Sequence, residues 1–111
     1  MEQITIDDFT RIDMRVGQII RVEDFPKARK PAYKLWIDFG ELGVKKSSAQ
    51  LTLLYRKEEL LERLVVAVVN FPPRQVADFL SEVLVLGAVS DGDDVILLQP
   101  ERPVALGWKI A

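Results

Sequence analysis

Six cations lie between residues 27 and 46 of this chain: Lys27, Arg29, Lys30, Lys34, Lys45 and Lys46. Only two acids, Asp38 and Glu41, oppose them. Ammonium and guanidinium groups at this density suit a phosphate backbone, and Trp36, on the strand face of Lys34, offers a ring on which a base can stack. The same stretch also reads as a solvated hairpin with a partly covered tryptophan. The positive charge is local. The whole chain has 15 Lys+Arg against 17 Asp+Glu, a net charge of −2 and a pI near 5.2. The acids gather elsewhere, at Glu2, Asp7, Asp8 and Asp13 and at Asp91, Asp93 and Asp94.

Other chemistry is limited by two absences. There is no Cys and no His, which excludes disulfides, thiol nucleophiles, Fe–S clusters, Ser-His-Asp triads and histidine metal sites. Ser47-Ser48 has no Gly-x-Ser-x-Gly elbow, and Lys46 points to the opposite strand face from Ser47, so no hydrolase is assembled there. Gly40-Glu-Leu-Gly43 lacks the Gly-Lys-Ser/Thr ending of a phosphate loop. Asp91-Gly-Asp-Asp94 lacks the spacing of an EF-hand and sits between two apolar runs, which is the pattern of a hairpin turn. The expectation is a binding protein and not an enzyme, with no cofactor and no metal.

Exposed apolar material is the remaining candidate for binding. Phe71 and Pro72 follow an apolar run, and Trp108 and Ile110 stand at the C-terminus. Core packing, a contact with a second copy, or a patch for a bound polypeptide would each cover them.

The elements that must position these residues are mostly short strands. The 111 residues and 12.6 kDa fit one domain, 1–111. Thr5 and Asp8 form a capping-box pattern, with Ile4 and Phe9 as its staple, and start a short helix. Residues 16–22 read as a strand with a bulge or bend at Gly17. Tyr33, Leu35, Ile37 and Phe39 alternate with Lys34, Trp36 and Asp38, a half-buried strand. The turn at 40–43 returns the chain as a strand over 44–52. Residues 56–63 have helical character, with Glu59 and Arg63 spaced for an i,i+4 pair. Residues 64–69 read as a buried strand stopped at 70–74, and 83–89 and 95–98 as two more. Six short strands with a helix between the third and fourth suggest an all-β fold, a small closed barrel of the OB kind, with a β-sandwich as the alternative. No apolar run approaches the length of a membrane span and no basic-then-apolar leader opens the chain, so a cytoplasmic location without membrane insertion is expected.

Asp13-Met-Arg-Val-Gly17 resembles the Asp-Leu-Arg-Val-Gly opening of tRNA-binding domains. These are OB-fold modules appended to some methionyl- and phenylalanyl-tRNA synthetases and also found alone as dimers. Lys34-Leu35 with Asp38-Phe-Gly40, Leu60-x-x-Arg63-x-Val65 and Asn70 also fall on that pattern. Residues 28–35, 46–50, 68–75 and 79–87 are similar to the family's branch of export-related chaperones, and the likeness covers nearly the whole chain in order. It implies a homodimeric, five-stranded OB-fold barrel that binds tRNA without sequence specificity and holds unfolded precursor proteins for export, with the export motor as a further candidate partner. A stand-alone tRNA-binding protein acting in trans on tRNA or a synthetase is the alternative. Carried over position by position, the nucleic-acid face comprises Lys34, Lys45, Lys46, Asn70, Arg74 and Ser81, flanked by Lys27, Arg29 and Lys30. The chain departs from the family's Ser-x-Gly-Met at Ser81-Glu-Val-Leu84, where an acid stands beside Ser81, and the expected tRNA affinity is lower for it.

Overall fold

The computed structural model describes all 111 residues. In chain order the elements are α1 (Ile6–Thr10), β1 (Met14–Asp24), β2 (Tyr33–Asp38), a 3-10 turn (Gly40–Leu42), β3 (Val44–Ala49), α2 (Lys57–Leu60), β4 (Leu64–Val68), β5 (Arg74–Val76), β6 (Phe79–Ser81), β7 (Leu84–Val85), β8 (Gly87–Val89) and β9 (Val95–Leu97). An antiparallel sheet runs in the order β3-β2-β1-β4-β7, and β5–β6 and β8–β9 are separate hairpins. β1 is the spine. Its first half pairs with β4, from Met14 opposite Val68 to Gln18 opposite Leu64, and its second half pairs with β2. One long strand serving two partners curls the sheet toward closure.

Closure is finished partly by side chains. The Lys46 carbonyl accepts the amides of Glu82 (2.8 Å) and Val83 (3.3 Å). The Lys46 amide donates to Glu82 Oε1 at 3.0 Å, and the Ser48 amide donates to Ser81 Oγ at 3.1 Å. The result is a nearly closed five-stranded barrel of the OB type. The alternation read in β2 is real: Tyr33, Leu35, Ile37 and Phe39 are buried, while Lys34, Trp36 and Asp38 are half-buried on the outer face. Residues 65–68 of β4 are all buried, in keeping with an unbroken apolar run.

Several local expectations are corrected. The register shift in β1 falls between Ile19 and Arg21, not at Gly17. Gly17 is required for a different reason: a Cβ there would lie 2.6 Å from Ile37 Cγ2 and 2.7 Å from the Phe39 ring. Glu59 does not pair with Arg63. In a helix of one turn the first amides lack partners, and Glu59 Oε1 accepts the Arg56 amide at 2.9 Å, while Arg63 Nε donates to the Glu59 carbonyl. Thr5 does begin α1, its amide donating to Asp8 Oδ2 at 3.0 Å, but Ile4 stays 72% exposed and seals no staple. β3 ends at Ala49, three residues early, because the Leu51 amide turns back to the Ala49 carbonyl. The 90–94 turn is held by Ser90 Oγ, which accepts the amides of Gly92 and Asp94.

The C-terminal segment lies along the free edge of the first half of β1. The amide of Val16 donates to the Trp108 carbonyl, that of Gly107 to the Val16 carbonyl, and that of Ile110 to the Met14 carbonyl, all at 2.8–2.9 Å. Arg15 clamps the arrangement, donating through Nε to Asp13 Oδ1 at 2.6 Å and through a terminal nitrogen to the Gly107 carbonyl at 3.2 Å. Gly107 has φ +90°, and a Cβ there would lie 2.6 Å from the Phe39 carbonyl oxygen, so only glycine lets the segment approach. Asp13-Met-Arg-Val-Gly17 is thus a structural clasp as well as a sequence signature.

Candidate nucleic-acid and polypeptide interface

The pleat of β2 and β3 sorts the predicted cations. Lys34 stands opposite Ser48 and Trp36 opposite Lys46, so these four share the outer face. Lys45 stands opposite Ile37 and belongs to the other pleat face. The reading that placed Lys45 beside Lys46 on one surface is therefore corrected: neighbours on a strand diverge.

Beneath the outer-face lysines lies an aromatic layer. Phe79 meets Phe25 and Trp36 edge-on, at centroid distances of 5.6 and 5.7 Å. Lys34 Nζ is 5.0 Å from the Phe25 centroid and 5.4 Å from that of Phe79, and Lys46 Nζ is 5.2 Å from Phe79. The negative ring faces attract both ammonium groups and restrict their wandering. The Arg21 guanidinium lies 4.4 Å from the Trp36 centroid and pairs with Glu23. Trp36 is half-buried with Arg21 against its ring, so a stacking base must displace Arg21. Phe25, Phe79 and Arg21 are absent from the sequence-based site. Arg21 could have been found from its place across the ladder from Trp36; Phe79 could not, because only the unforeseen β5–β6 hairpin brings it here.

Arg74 and Ser81 are register partners across β5–β6, and Ser81 Oγ is bonded to the Ser48 amide. The two residues therefore adjoin the outer face of β3. Phe71, 49% exposed, and Pro72 join them in a groove of about 510 Å³ that Glu82 also lines. Phe71 and Pro72 are thus neighbours of Arg74 and Ser81, while Trp108 and Ile110 lie on the C-terminal segment against β1. Trp108 is 59% exposed. Asn70 is committed elsewhere: its Oδ1 accepts the Asp13 amide at 2.9 Å and its Nδ2 donates to the Arg11 carbonyl at 2.8 Å. Both ends of the amide hold the N-terminal segment, which gives Asn70 a structural task in addition to the phosphate contact the resemblance implies.

The loop cations frame a larger groove of about 820 Å³. Its walls are the end of β3, the stretch from Leu84 to Gly87, and Val76, Val89 and Val95, which are mainly apolar. Lys27, Arg29, Lys30 and Arg74 line it, with Asp93 as the one acid. Lys27 is partly engaged: its Nζ is 3.1 Å from Asp78, and that hydrogen bond holds the Asp78 carboxyl below the usual carboxylate range. No helix of the protein is long and apolar enough to cross a membrane.

Comparison with known proteins follows the same lines. The family described as "Putative tRNA binding domain" matches residues 14–109. The crystal structure of chaperone CsaA from Bacillus anthracis is 51% identical, with a TM-score of 0.95 and coverage of 99% of this chain and 100% of that one. The CsaA chaperone of Picrophilus torridus is 55% identical, with a TM-score of 0.91 and coverage of 98% and 100%. The methionine–tRNA ligase of Pyrococcus horikoshii is 39% identical over 110 residues, 99% of this chain but 15% of the ligase. The chain spans only about that share of the curated relatives it matches.

Proposed function

The chain belongs to the tRNA-binding domain family and is similar throughout its length to CsaA chaperones, and on that premise we propose that it is a non-catalytic, homodimeric holder of unfolded precursor polypeptides that also binds tRNA without sequence specificity. The observation that carries the reading is the groove of about 820 Å³ with apolar walls and the cations Lys27, Arg29, Lys30 and Arg74. Apolar side chains of an unfolded segment leave water on those walls, and acidic residues beside them meet the cations. A folded protein buries most of its apolar side chains and offers no extended apolar segment to such a groove.

The tRNA reading has its own support in the Lys34 and Lys46 ammonium groups held over Phe79. Neither carries an ion pair of its own among those the structure contains, so both are available to a phosphate. The second copy is supported by the terminal segments, where Ile4, Ile6 and Trp108 are 72%, 72% and 59% exposed. Two binding faces on one rigid body raise avidity for a long ligand.

The test is paired. An unstructured peptide rich in Leu, Val and Glu should bind saturably, and a folded protein of similar charge should not. Bulk tRNA should bind with an affinity that falls by roughly 0.9 log units per phosphate contact for each tenfold rise in salt. Failure of the peptide to bind would leave the alternative, a tRNA-binding protein acting in trans.

A further inference from the structure

The surfaces assigned to RNA and to polypeptide meet at Ser48. Its side chain shares the outer face of β3 with Lys46 and stands opposite Lys34. It lines both the larger groove and the smaller one. Its amide is bonded to Ser81 Oγ, and Ser81 is the register partner of Arg74, which also lines both grooves. Leu84 is the third residue common to the two. A phosphate backbone seated across Lys34 and Arg74 therefore overlies Ser48, at the junction through which the larger groove is reached. A polypeptide in that groove in turn takes up the charge of Arg74.

We propose that tRNA and unfolded polypeptide exclude one another on each protomer, because they share the Ser48–Arg74–Leu84 junction. The inference rests on the two binding activities proposed above and adds their coupling. Coupling of this kind is reciprocal: whatever factor tRNA imposes on peptide affinity, peptide imposes on tRNA affinity. Local RNA concentration would then set how readily a held chain is released, with no nucleotide hydrolysis and no change of fold.

The experiment titrates the 111-residue protein into a fluorescein-labelled unstructured peptide of Leu, Val and Glu, at fixed low salt and increasing bulk tRNA. A second peptide has every Glu replaced by Gln. Shared footprint predicts that the apparent Kd of both peptides rises in proportion to tRNA without a plateau, roughly tenfold when tRNA stands tenfold above its own Kd. A plateau would mean that a ternary complex forms, and would overturn the proposal. Displacement of the Glu peptide alone would also overturn it, by reducing the effect to charge repulsion between ligands. The single-ligand titrations come first. If either ligand fails to bind alone, the function proposed above has failed at that point and the coupling goes with it.

Discussion

Lys46 and Glu82 are bonded twice. The Glu82 amide donates to the Lys46 carbonyl at 2.8 Å, and the Lys46 amide donates to Glu82 Oε1 at 3.0 Å. Both bonds use the backbone of Lys46, which leaves its ammonium group over Phe79 for a ligand. The acid that departs from the family pattern thus has a structural task. Glu82→Ala leaves a part-buried amide without its partner and should cost about 1–3 kcal/mol, read as a lower urea midpoint with an unchanged slope. Lys46→Glu keeps the backbone bonds, so stability should hold while tRNA binding drops severalfold.

Phe79 lies under both outer-face lysines and is 5% exposed. Phe79→Leu keeps an apolar filler but removes the ring face. Charge is unchanged, so a loss of tRNA affinity reports the positioning of the lysines and of Trp36, which the same ring supports. The expected result is a Kd raised severalfold with a similar salt slope, since each cation–π contact at a partly exposed site is worth about 0.5–1 kcal/mol. Filter retention at two salt concentrations checks it.

Asp78 restrains Lys27 at the rim of the larger groove. Because its carboxyl is held below the ordinary range, it stays ionised through mildly acid pH, and the pair persists until pH falls through that lowered value. Asp78→Asn should free Lys27 and strengthen binding of the Glu-rich peptide and of tRNA at neutral pH. The salt slope for tRNA should rise by at most about 0.9, the share of one extra contact.

Arg15 holds the C-terminal segment through Asp13 and the Gly107 carbonyl. Arg15→Ala should leave the barrel folded and loosen the segment. Faster hydrogen exchange is expected at the amides of Val16, Gly107 and Ile110, which form that edge, with little change in β2. If Trp108 contacts a second copy, sedimentation should show a weaker dimer in the same variant.

What the sequence made legible follows from how local each signal is. The β2 alternation and the β4 apolar run depend only on which side faces the core, and both were readable. The β5–β6 hairpin was not, because its turn lacks the expected Gly or Asn. Ala77 takes φ +51°, with the Gln75 side chain donating to its carbonyl at 2.9 Å. The family resemblance alone marks Asn70 as a ligand contact, and its bonds to Asp13 and Arg11, nearly sixty residues away, were not legible. Lys45 and Lys46 were separable from the pleat alone. The grooves were invisible, since each needs loops that only the closed barrel brings together.

The proposed function stands or falls on whether unfolded polypeptide lies on the apolar walls of the larger groove. Leu84 and Val89 line it and are 50% and 67% exposed, so changing them should spare the fold. The direct measurement is the Kd of the labelled Leu-Val-Glu peptide for the double variant Leu84→Ser, Val89→Ser, alongside its urea midpoint. The expected Kd is raised roughly tenfold, about 1.4 kcal/mol of lost apolar contact, with the midpoint nearly unchanged. An unaltered Kd in a folded variant would contradict it.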